Sequence, residues 1–198
     1  MRRRRSQFAV LVAVMGLLGV AAAAVAGGGG RDVREHLTGY QETPLTISTS
    51  GAGDFRAKVK HSQIEYRLSY SDLEGDVTQS HIHLGAEATT GGISVFLCSN
   101  LGNGPAGTQA CPGPHSGTIT GTIVPADVIG PAGQGIKPGE YAELLRAIRA
   151  GATYANVHSS LYPSGEIRAQ LNEHHGHHSR TPGGPGPTGS GPPRSRAR

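Results

Sequence analysis

The stretch Thr78-Gln79-Ser80-His81-Ile82-His83-Leu84-Gly85-Ala86-Glu87-Ala88-Thr89-Thr90-Gly91-Gly92 decides how the chain is read. In an extended strand successive side chains point to opposite faces. His81 and His83 therefore share one face, with α-carbons about 6–7 Å apart, while Ile82 and Leu84 share the other. The aliphatic face predicts the side on which a core lies. A second stretch repeats the arrangement: in Tyr154-Ala155-Asn156-Val157-His158, Val157 is apolar and His158 points the opposite way. Three histidines out of phase with the aliphatics are the main functional clue.

Working outward, the chain keeps a period of two. Ile64, Tyr66, Leu68 and Tyr70 alternate with Glu65, Arg67 and Ser69. Phe55, Ala57 and Val59 alternate with Arg56 and Lys58, and His61-Ser62 suits the hairpin turn between the two strands. Ile93, Val95 and Leu97 follow a Gly91-Gly92 turn, Ile119 and Ile123 mark a strand among threonines, and Ile167, Ala169 and Leu171 alternate with Glu166, Arg168 and Gln170. One segment, about 138–150, breaks the pattern, with Tyr141, Leu144, Leu145 and Ile148 at helical spacing. Its acids come early and its arginines late, as the helix dipole favours, and Gly151 is placed to end it. The fold class predicted is all-β: an antiparallel β-sandwich or partly closed, Greek-key-like barrel with one short connecting helix.

The ends read differently. Residues 1–26 combine Arg2 to Arg5, an apolar run and Ala24-Val25-Ala26, the pattern of a secretory signal peptide cleaved near Ala26. A retained anchor is the alternative, since the apolar run is long enough to span a bilayer. Cleavage leaves a secreted, cell-envelope or periplasmic protein with no membrane span. Residues 27–34 read as a Gly-rich linker, 35–172 as the folded domain, and 173–198 as a disordered tail rich in His, Pro, Gly and Arg. His174, His175, His177 and His178 read as part of a solvated linker able to take metal adventitiously. Arginines at the two ends carry most of the positive charge, so basicity does not argue for nucleic-acid binding. In an exported chain Cys98 and Cys111 are expected to pair; free thiols and thiolate metal ligands are the alternatives, the latter disfavoured by the absence of any other cysteine.

Val77-Thr78 leading to His81-Ile82-His83-Leu84-Gly85, then Gly91-Gly92-Ile93-Ser94-Val95-Phe96-Leu97, resembles the first half of a CHRD domain, the module repeated in chordin. Tyr154-Ala155-Asn156-Val157-His158 and Pro163-Ser164-Gly165-Glu166-Ile167-Arg168-Ala169-Gln170-Leu171 resemble its second half, and Leu37-Thr38-Gly39-Tyr40-Gln41-Glu42-Thr43-Pro44 resembles its start. The resemblance implies an extracellular or exported all-β module, often single in bacteria. Ala169 stands where that family commonly has glycine, and the two cysteines and the His-rich tail look like local additions.

Imidazole suits copper and zinc, and a His-x-His strand plus a third histidine from a neighbour supplies a three-nitrogen set. His81, His83 and His158 are thus the candidate metal ligands, with His115 a fourth if its loop folds back. The competing reading is a metal-free hydrogen-bonded network holding strands and loop together, with Asn156 in it. Glu166 and Arg168 share a strand face and are read as ion-paired with neighbours on it, worth under about 1 kcal/mol if exposed, and with Asn156 as groups that support the ligands or the structure. The functions expected are an exported binding or structural module, with an unidentified extracellular or envelope protein as partner. The alternatives are a copper redox enzyme, since the His-x-His strand is similar to that of copper-zinc superoxide dismutase, and a metal-free adhesive module. No catalytic residue is assigned: Ser159 and Ser160 beside His158 cannot form a triad by themselves, because neighbours in a strand face opposite ways.

Overall fold

Alternation at period two sets nearly every element of the structure, a computed structural model that describes residues 31–174. The expected signal peptide, residues 27–30 of the expected linker, and the tail from residue 175 lie outside the described residues. The strands are β1 (Arg31–Thr38), β2 (Ala52–Val59), β3 (Ile64–Ser71), β4 (Val77–Leu84), β5 (Gly92–Ser99), β6 (Gly117–Ile123), β7 (Thr153–Ser159), β8 (Ile167–Gln170) and β9 (Glu173–His174). All pairings are antiparallel, in the order β5-β4-β7-β8-β1-β2-β3-β6, and β9 sits on β1. The first strand therefore begins inside the segment read as linker. Glu173 and His174 likewise belong to the sheet rather than to the tail, because they find open ladder positions opposite Val33 and Asp32.

The sheet curls into a nearly closed barrel, and the seam lies between its two edge strands, β5 and β6. Side chains and a loop bridge it. Tyr66 Oη donates to the Leu97 carbonyl at 3.3 Å, the Ser99 amide donates to the Gln109 carbonyl at 2.9 Å, and Gln109 Nε2 donates to the Thr120 carbonyl at 3.3 Å. Cys98 and Cys111 form a disulfide at a sequence separation of 13, anchoring that loop to β5.

The helix, α1 (Tyr141–Arg149), is shorter than the segment that predicts it. Gly139 takes a left-handed φ of 83°, which keeps Pro138 and Gly139 outside, and Gly151, at φ 63°, follows the end. Tyr141, Leu144, Leu145 and Ile148 are all buried, so the apolar stripe faces the core. Burying each of the three aliphatic side chains contributes about 1.5–3 kcal/mol.

Two halves of the barrel wall differ in a way that positions the site. In β2 and β3 one face is buried and the other is open to solvent. In β7 every residue is buried, and β4 and β8 bury both faces through most of their length. The inner face of this second half carries Ile82, Ala155, Val157, Ile167 and Ala169. Its outer face, which carries the histidines, is roofed by loops.

Because the disulfide holds the loop that spans the seam, replacing both cysteines by serine should lower stability by about 3 kcal/mol, the chain-entropy value for a loop of this length. Thermal or urea unfolding checks it, and hydrogen exchange should rise first at Leu97, Ser99 and Gln109.

Candidate metal centre

On the outer face of the roofed strands the ladder sets side chains in rows. His81 lies opposite Asn156 and His83 opposite Tyr154, while Asn156 in turn faces Arg168. His158 is opposite Gln79, which makes it the diagonal neighbour of His81. The β4–β5 register shifts on either side of His81-Ile82, and Phe96 comes opposite His81. His81 is 0% exposed, His83 7% and His158 6%, so the imidazole face is as buried as the aliphatic one. One potential ligand nitrogen from each of the three lies within 4.8 Å of the others.

Hydrogen bonds assign the tautomers. His83 Nδ1 is 3.0 Å from the Gly91 carbonyl and His158 Nδ1 is 3.0 Å from the Pro163 carbonyl. A carbonyl only accepts, so each Nδ1 carries the proton and each Nε2 keeps its lone pair. His158 Nε2 then accepts from His81 Nδ1 at 3.2 Å, which leaves His81 Nε2 also bare. His81 Nε2 and His83 Nε2 are buried without a hydrogen-bond partner. Rings fix the remaining freedom. Phe96 meets His81 edge-on at 4.3 Å, His83 stacks on Tyr154 at 4.7 Å, and the Arg168 guanidinium lies 3.6 Å from the Tyr154 centroid.

Burial pushes all three imidazoles down. His81 falls to about 2, with the neighbouring histidines adding to the effect of desolvation, and His83 and His158 fall to about 4. The cluster is neutral at physiological pH, with two nitrogen lone pairs bare and a third, on His158 Nε2, engaged by His81 Nδ1.

The surrounding groups explain the roof. Asn156 Nδ2 donates to Glu42 Oε1 at 2.5 Å and to the Ile167 carbonyl at 3.1 Å. Burial raises the Glu42 carboxyl to about 7, although its bond to Asn156 and the nearby Arg168 pull it back. Glu42 and Thr43 line two surface clefts of about 230 and 240 Å³. Arg168 donates to Thr43 Oγ1 and to the carbonyls of Thr89 and Ala86, tying two loops to β8. Glu166 accepts from Thr49 Oγ1 at 2.8 Å and from the amides of Glu74 at 2.6 Å and Gly75 at 3.4 Å. Two glycines are sterically required. A Cβ on Gly91 would meet the Leu84 carbonyl oxygen, and one on Gly165, at φ 138°, would lie 2.6 Å from Glu42 Oε2.

Two expectations need correction. His115 is not in the cluster: its Nδ1 bonds the Leu73 carbonyl at 2.8 Å and its Nε2 faces Asp76 at 3.5 Å, on an exposed loop that does not fold back. Among the described residues, Glu166 and Arg168 are not ion-paired with neighbours either. They are 0% and 2% exposed and are satisfied by amides, hydroxyls and carbonyls, because the loops cover the strand face that period-two reading leaves open to solvent. Glu42, Tyr154, Phe96 and Gly91 belong to the site and were not singled out from the sequence. Their signal was their presence in the quoted family-like stretches.

The CHRD domain family model matches residues 33–171. No curated protein and no solved structure matches the chain.

Two outcomes follow from this geometry. Gly165→Ala should cost about 2–4 kcal/mol by driving a Cβ into the Glu42–Asn156 pair, read as a fall in the unfolding midpoint. Stability should also peak near neutral pH. Below about 6.5 the unfolded chain takes up protons that the buried imidazoles refuse, so stability falls with falling pH by about 1.4 kcal/mol per unit for each group. Glu42 works the other way, since its raised value means stability is lost as pH climbs from 4.5 to about 7. Glu42→Gln should remove that loss and keep the acid limb, as a pH series of melting curves would report.

Proposed function

The chain belongs to the CHRD domain family, and from that premise we propose that it is an exported binding module taking one copper or zinc ion at His81, His83 and His158. The observation that carries this reading is the pair of buried, partnerless imidazole nitrogens, His81 Nε2 and His83 Nε2. Leaving a buried polar atom unsatisfied costs about 1–3 kcal/mol, and a purely structural network would leave two. A cation accounts for both. The backbone carbonyls of Gly91 and Pro163 supply the outer contacts that orient metal-binding imidazoles.

When bound, copper would supply one-electron redox chemistry, whereas zinc would supply only Lewis acidity. The chain's own residues do the rest. His158 Nε2, which accepts from His81 Nδ1, would be the third nitrogen to hold the ion, Tyr154 and Phe96 pack against the rings, and Arg168 fastens the covering loops. A disulfide and the signal-like start support an extracellular or envelope location.

Metal titration of the full chain tests the proposal. One equivalent of copper or zinc should bind, be lost in His83→Ala, and persist when His175, His177 and His178 are changed to serine. Free metal at a hundred times Kd should stabilise the fold by about 2.7 kcal/mol. Equal uptake by wild type and His83→Ala, without any thermal shift, contradicts the proposal. Superoxide turnover by the copper-loaded chain would move the reading from binder to enzyme.

A further inference from the structure

The open outer face of β1, β2, β3 and β6 lies away from the histidines and carries a row of charge that the fold itself does not need. Arg34 is opposite Arg56, Arg56 is opposite Arg67, and Arg67 is opposite Thr120. Three arginines thus stand side by side on adjacent strands, their outer α-carbons about 10 Å apart at ordinary interstrand spacing. Like charges placed directly opposite in a sheet repel and destabilise it. The arrangement is more conspicuous because all 14 acidic residues of the chain lie within residues 31–174, whereas eight of its 18 Lys and Arg lie outside, leaving the described domain net negative.

Nearby acids pair with only one member of the row, Arg34. Asp54 faces His36 at 3.4 Å and Glu65 pairs with Lys60 at 2.5 Å, while Asp32 meets Arg34 at 3.2 Å. Among the described residues the Arg67 side chain makes only a long bond to Thr118 Oγ1, at 3.4 Å. Arg56 has neither ion pair nor hydrogen bond among the described residues. Between Arg56 and Arg67 lies a depression of about 280 Å³, whose other two walls are Asp54 and Ser69.

We infer that this face is a binding site for an acidic polysaccharide of the uronic-acid type, laid across the strands along the arginine row. Guanidinium forks suit carboxylates, and Arg56 and Arg67 together offer the strongest such position. Asp54, Ser69, Thr118 and Thr120 flank the row with acceptors and hydroxyls that match sugar hydroxyl groups. Single-stranded nucleic acid needs stacking platforms, and the outward positions of these strands carry no Phe, Tyr or Trp among the described residues.

The test is binding of the full chain to polygalacturonate across a salt series, with inorganic phosphate and a single-stranded oligodeoxynucleotide as comparison probes. Arg56→Gln/Arg67→Gln should weaken polygalacturonate binding by about tenfold or more at low salt and reduce the salt slope by about two. Arg146→Gln/Arg149→Gln, which removes the same charge from the helix, should leave both unchanged. Unfolding curves of Arg56→Gln/Arg67→Gln should show stability kept or raised, since repulsion is relieved. Equal losses in both pairs, or none in the first, would overturn the site. Equal or tighter binding of the oligonucleotide at the same arginines, or of phosphate alone, would overturn the polysaccharide assignment.

Discussion

A polar side chain taken out of water must find a partner, and that constraint organises the half of the barrel built from β4, β7 and β8. Their inner face is an ordinary aliphatic core. Their outer face is nearly as dry, yet it carries three imidazoles, an amide, a guanidinium and two carboxyls within reach. Loops supply the partners: carbonyls at Gly91 and Pro163 for the histidines, carbonyls at Ala86 and Thr89 for Arg168, and amides at Glu74 and Gly75 for Glu166. Folding the roof and satisfying the polar layer are therefore one event. Two nitrogens stay outside that closure, and they point to what the layer is for.

The remaining half of the barrel obeys a simpler rule. Its strands alternate buried and exposed residues, and its outer face is wet. The seam between β5 and β6 has no direct ladder, and Tyr66, Gln109 and the disulfide loop hold it instead. A single chain thus separates a dry, roofed histidine centre from an open arginine row on another face.

Much of this was legible in the residues. Alternation located the main strands, the apolar stripe located α1, and the phase of His81, His83 and His158 against the aliphatics put them on one face. What alternation cannot express is a sheet face covered by loops, since it distinguishes only a core side from the other side. The partners of Glu166 and Arg168 come from those loops and were not legible for that reason, and Glu42 escaped notice because it enters from a loop over a hundred positions away from its partner Asn156. The strand ends at Arg31 and at Glu173-His174 carry no hydrophobic signal, and ladder pairing together with the Arg31–Glu173 ion pair at 2.7 Å orders them.

The histidine centre depends on His83 and His158 being neutral with the proton on Nδ1, which leaves each Nε2 a lone pair in a cluster whose ligand atoms lie within 4.8 Å of one another. Long-range proton–nitrogen NMR of the imidazole rings reads this directly. Nδ1-protonated, uncharged signals are expected for His83 and His158 at pH 6, with displacement of their Nε2 resonances on adding one equivalent of zinc. Nε2-protonated or charged rings at that pH, or spectra indifferent to zinc, would contradict it.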